Sequence, residues 1–170
     1  MMSLVQTDRG EELSDLYREH YRPLVRLAAL LLDDVPAAEE VVQDAFVQLH
    51  RAWGRVTDDA KRASYLRSIV MNGARSRARR RATGRRLEAV PTPRAGESAE
   101  SAALQHETRG EVLAALRSLP DRQRECLVLR YYLDLSEAEI AATLDISAGS
   151  VKTHTHRGIA ALARALESKR

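Results

Sequence analysis

The residues best equipped for chemistry lie close together near the C-terminal end. Ser150, Lys152, Thr153, His154, His156 and Arg157 fall between positions 150 and 157. All are polar and most donate hydrogen bonds, a set suited to phosphate oxygens and to the edges of bases. His154 and His156 stand two apart, so they do not share a helical face. With Cys126 as the single cysteine, a cysteine-based zinc site and an internal disulfide are both excluded. A second concentration of cations lies upstream: residues 61–94 hold eleven basic residues and one acidic. Only Lys61, Lys152 and Lys169 are lysines, so the basic side chains are almost all Arg, whose planar fork matches phosphates and base edges.

The first set must be carried by a pair of helices. Ser136 to Leu144 reads as a short helix with Ile140, Ala141 and Leu144 facing inward, and Glu139 stands where a capping-box partner of Ser136 belongs. Asp145 and Ile146 make the turn. Asp145 occupies a position that often needs glycine, but Asp tolerates the left-handed conformation better than most residues. Ser147 then caps a longer helix running to about Glu167, with Val151, Ile159 and Leu162 facing inward. This is a helix-turn-helix, whose second helix can enter a major groove. Helical hairpins of this spacing also occur without touching DNA; the polar, basic outer surface favours DNA here.

Upstream, Glu11 to Leu32 reads as a helix that Pro23 should kink or divide. Asp33 to Pro36 is a stop and restart, and Ala37 to Trp53 forms a second helix ended by Gly54. Its apolar stripe is Val41, Val42, Ala45, Phe46 and Leu49; its polar side carries Glu39, Glu40, Gln43 and Asp44. A loop over 55–63 leads to a third helix, about Ser64 to Ala82. Residues 83–101, with two glycines and two prolines, read as an extended linker. Helices over 102–118 and 121–132 precede the helix-turn-helix. The chain is therefore expected to be all-α: an N-terminal domain 1–82, the linker 83–101 and a C-terminal domain 102–170.

Composition agrees. Aromatics are only 4% of the chain, which favours packed helices over a β-sandwich. The longest strongly apolar run, Leu27 to Leu32, is far too short to cross a bilayer, and the N-terminal residues show no export signal. A cytoplasmic protein without membrane insertion is expected. The net charge of +3 conceals alternating blocks: −6 over 1–60, +10 over 61–94, −5 over 95–146 and +4 over 147–170. Such alternation suggests two anion-binding surfaces and two of another kind, although solvated helix faces would give the same counts. No glycine-rich phosphate loop, nucleophile motif or metal-ligand spacing occurs, so neither an enzyme, a cofactor nor a small-molecule substrate is expected.

Three stretches, in order, resemble the sigma factors of bacterial RNA polymerase, specifically the small two-domain extracytoplasmic-function group. AEEVVQDAFVQLHRAW (38–53) resembles the family's polymerase-binding helix, and SYLRSIVMNGARSRARRR (64–81) the helix that melts and reads the −10 element. The segment from Leu116 to Leu162, with LSEAEIAATLDISAGSVKTHTHRG at its centre, resembles the −35-binding domain. The resemblance implies that Glu40, Gln43 and Asp44 face core RNA polymerase. It implies that Lys61, Arg62, Arg75, Arg79 and Arg80 form a cationic track for melted DNA, with Tyr65 and Asn72 as candidates for base contacts. Tyr65 and Asn72 each have an equally good structural reading, as a core ring and as a buried amide satisfying backbone groups. Trp53, Phe46 and Leu49 read as core. Ser150, Lys152, Thr153, His154, His156 and Arg157 are implied to meet the −35 element; His154 and Ser76 depart from a common family Arg and acid. Expected partners are promoter DNA, core polymerase and the anti-sigma protein that often restrains the family. The alternative is a free-standing helix-turn-helix regulator, which leaves the 38–53 helix unexplained.

Overall fold

The computed structural model describes the backbone over residues 2–85 and 102–168 and the side chains over 9–84 and 109–168. Those residues form seven α-helices and no strand: α1 (Met2–Leu32), α2 (Val35–Ala52), α3 (Asp59–Arg85), α4 (Ala102–Ser118), α5 (Asp121–Tyr131), α6 (Glu137–Leu144) and α7 (Ala148–Glu167). The chain divides into two compact units. One takes α1, α2 and α3 to Ala78, with residues 141–145; the other takes the end of α3 from Arg79, α4, α5, the first half of α6 and α7.

In the first unit α1 packs along α2. Leu16, Leu24, Leu27, Ala28 and Leu32 of α1 are buried, as are Val41, Val42, Ala45, Phe46 and Leu49 of α2. Of the two expected effects of Pro23, a kink or a division, the division does not occur: α1 is continuous from Met2 to Leu32. A proline removes one helical hydrogen bond, but the leucines on both sides of it are buried together, and that burial outweighs the loss. The two adjacent aspartates divide the corner between them. Asp33 turns left-handed (φ 53°) and ends α1, while the Asp34 carboxylate accepts the Ala37 N–H at 2.9 Å and caps α2.

Gly54 does not end α2 in a left-handed turn. The helix tightens instead into a 3-10 turn over Trp53–Arg55, and Trp53 is buried, as the sequence suggests. α3 then begins at Asp59, five residues earlier than expected. The Asp58 carboxylate accepts the Ala60 N–H at 2.9 Å, and its carbonyl accepts the Arg62 N–H at 2.8 Å. On α3, Leu66, Val70, Met71 and Ala74 are buried, and Gly73 lets the helix approach Val41 of α2. The helix continues to Arg85, so the first residues of the expected linker are helical; residues 86–101 lie outside the described residues.

In the second unit α7 packs on α5 and α4. The capping box at α6 forms as predicted: Glu139 accepts the Ser136 N–H at 2.8 Å, and Ser136 Oγ accepts the Glu139 N–H at 3.2 Å. Asp134 and Asp145 both adopt φ 53°, the second in the turn before α7. Ser147 caps α7 by accepting the Ser150 N–H at 3.1 Å. One inward assignment fails. Ile159 is 45% exposed, and its neighbour Gly158 is buried instead. A Cβ on Gly158 would lie 3.1 Å from Leu127 Cγ and 3.3 Å from the Gln123 carbonyl oxygen, so a missing side chain makes the α5–α7 approach.

Candidate nucleic-acid and polymerase interfaces

Each implied surface belongs to one helix. On α7 the inward side is set by Val151 and Gly158, seven residues and almost two turns apart. Lys152, Thr153, His156 and Arg157 are exposed, and their spacing pairs Lys152 with His156 and Thr153 with Arg157 on successive turns. Ser150 is half-buried, and its hydroxyl lies 2.8 Å from Ser147 Oγ at the cap. Thr153 donates its hydroxyl to the Gly149 carbonyl at 3.0 Å. His154 is also half-buried and falls on the side of Val151 and Gly158, so it does not join the four exposed residues. Sequence reasoning missed Gly158, although an inward glycine inside a helix is the expected mark of close helix packing.

α3 presents a longer surface. At about 100° per residue, Lys61, Tyr65, Asn72 and Arg79 fall on one stripe opposite the buried Val70. All four are exposed, Tyr65 to 36%. That exposure decides against a core ring at Tyr65 and a buried amide at Asn72. Arg75, half-buried, flanks the stripe and donates to Asn72 Oδ1 at 3.4 Å, and Arg80 is exposed beside it. Cations, one ring and one amide in a row match what an unstacked strand requires.

Arg62 is a correction. It is 7% exposed and does not belong to the track. Its guanidinium lies 3.8 Å from the centre of the Trp53 ring. Nε donates to the Val56 carbonyl at 3.0 Å, and Nη1 donates to Glu12 Oε2 and Asp59 Oδ1, each at 2.9 Å. Arg at position 62 reads as one more cation in a basic run; the acids that bury it lie on α1 and in the first turn of α3.

On α2, Glu40, Gln43 and Asp44 are all exposed, opposite the buried Val42, Phe46 and Leu49. Val47, one turn beyond, is 49% exposed and gives this acidic face an apolar member absent from the sequence reading. Glu40 is ion-paired with Arg77 of α3. Tyr17 stacks on Tyr21 (4.6 Å between centres) and tilts against the buried Phe46 (4.9 Å). Partial burial, then Tyr21 and Glu39, raise the Tyr17 hydroxyl above its ordinary pKa. Cys126 is fully buried, and its thiol is pushed up to about 11 by burial and then by Glu125, with Arg122 opposing. No helix among the described residues is long and apolar enough to cross a membrane.

Residues 16–83 match the family model for sigma-70 region 2, and residues 109–162 that for sigma-70 region 4. The RNA polymerase sigma-E factor of Streptomyces avermitilis is 33% identical over 159 residues, covering 93% of this chain and 87% of its own. The ECF RNA polymerase sigma factor SigM of Mycobacterium tuberculosis is 35% identical over 158 residues, covering 89% of this chain and 75% of its own. The fold resembles that in the co-crystal structure of the sigma factor RpoE with the anti-sigma factor NepR from Bartonella quintana. There the TM-score is 0.69 at 22% identity, covering 96% of this chain and 99% of that one. With both sigma-70 regions matched in order and relatives at 33% and 35% identity over most of its length, the chain belongs to the extracytoplasmic-function group of the sigma-70 family of RNA polymerase sigma factors.

Proposed function

We propose that the two units divide the work of promoter recognition. Lys152, Thr153, His156 and Arg157 on α7 meet the duplex at the −35 element. Lys61, Tyr65, Asn72, Arg75, Arg79 and Arg80 on α3 hold the separated strand at the −10 element, and Glu40, Gln43, Asp44 and Val47 on α2 dock on core polymerase. The observation that carries this reading is the α3 stripe, where an exposed ring and an exposed amide stand between cations. A factor that bound only duplex DNA would have no use for an unstacking platform there. The chain supplies specificity and strand opening in the cytoplasm, and the polymerase supplies catalysis; sigma factors are initiation factors, not enzymes. An anti-sigma protein, the kind of partner bound to RpoE in its complex with NepR, would restrain it.

The test is run-off transcription by core polymerase on a promoter library, with and without this chain. Promoters that fire only with the chain support the reading. Failure of every promoter, together with duplex binding by the free chain, would favour a free-standing regulator.

A further inference from the structure

Among the described residues the buried cation is Arg62. A buried guanidinium is costly unless its donors are met, and an apolar side chain of similar volume often stabilises a fold as well. What the charged fork adds is direction. Each partner of Arg62 comes from a different piece of the first unit: Glu12 from α1, Trp53 from the 3-10 turn, the Val56 carbonyl from the segment between that turn and α3, and Asp59 from the first turn of α3. One side chain thus ties α1 and the connecting segment to the start of α3. Of the four residues on the exposed stripe, the two nearest to it along α3 are Lys61, immediately before, and Tyr65, three residues later.

We propose that Arg62 is a positioning residue for strand opening: its four-way contact orients the start of α3 so that Tyr65 meets the separated −10 strand. It touches no DNA and acts through Tyr65. The inference rests on the reading of α3 as the −10 helix.

The experiment uses holoenzyme reconstituted with the full chain, on a promoter selected by wild-type run-off transcription. Opening is read by permanganate reactivity of −10 thymines, and core affinity by competition with the wild-type chain. Arg62→Ala is expected to reduce opening about tenfold while core affinity stays within about twofold, because misplacement affects the step that needs the geometry. Arg62→Lys, which keeps the charge and loses the fork, falls between. The double variant Arg62→Ala with Tyr65→Ala opens no less than Tyr65→Ala alone, the non-additivity expected when one residue acts through the other. Normal opening in Arg62→Ala while Tyr65→Ala is defective overturns the positioning role and leaves the −10 reading standing. Opening and core affinity falling by the same factor also overturns it, since that marks general destabilisation. Normal opening in Tyr65→Ala overturns the −10 assignment of the ring itself, and the positioning role with it. Should Arg62→Ala fail to fold, Glu12→Gln weakens one contact at the rim; it is expected to lower opening about threefold with the same split, and unchanged opening overturns the proposal.

Discussion

The two basic helices, α3 and α7, solve different problems with similar side chains. α7 concentrates its exposed donors in two adjacent turns, just behind a serine cap and opposite Val151 and Gly158. Its inner face is small, so its backbone lies close to α5. α3 spreads its exposed residues from Lys61 to Arg79, and its inner face is larger: Leu66, Val70 and Met71. A short cluster on a closely seated helix suits the edges of a few base pairs in a duplex; a long stripe suits a strand's backbone. Both carry positive charge, so charge alone does not distinguish a reader from a track.

The contrast can be broken first at the seat of α7. Gly158→Val should destabilise the second unit by about 3 kcal/mol through overpacking against Leu127 and the Gln123 carbonyl. Hydrogen exchange of α7 amides would show it, with α3 amides unchanged. Equal protection of α7 in the variant would mean that the approach is not tight. Next come the DNA contacts. Arg157→Ala should cost ~1–3 kcal/mol and relax preference at one −35 base pair, whereas Arg79→Ala should weaken binding evenly and lower the log–log salt slope by about 1. Titrations over substituted duplex and fork templates measure both, and the contrast collapses if both residues behave alike. Smaller again are the caps: Ser147→Ala and Asp34→Ala should each cost about 1 kcal/mol, felt in −35 binding for the first and in polymerase binding for the second.

The smallest effect, at pH 9, is alkaline. Folding raises the Cys126 thiol from 9.0 to about 11, so the neutral form is favoured in the folded state. Its contribution is fully present below pH 9 and is lost as the pH climbs toward 11. The change is about 0.4 kcal/mol at pH 9, read as a shift in urea midpoint absent from Cys126→Ala. A flat wild-type profile would place the thiol in contact with water.

How much of this was legible beforehand follows from how local each cause is. Ser136 with Glu139, Ser147 and Asp145 act within a few residues, so the caps and turn of α6 and α7 are readable in the sequence with near-correct bounds. The burial of Phe46 and Leu49 follows from spacing. The burial of Arg62 has no local signal, because its partners come from separate elements, Glu12 lying fifty positions away. The apolar type of Ile159 suggests an inward direction, while Gly158, beside it, makes the contact with Leu127. Continuity through Pro23 depends on leucines packed against another helix, which no local signal reports.

Asp134 and Asp145 each place a non-glycine residue in a left-handed corner, and Asp145 puts a negative charge at the negative end of α6. Neither lies in the core or on a proposed DNA face. Glycine at these positions would relieve the backbone, and asparagine the charge. The heat tolerance of this factor is therefore adjustable at its corners, independently of which promoters it chooses.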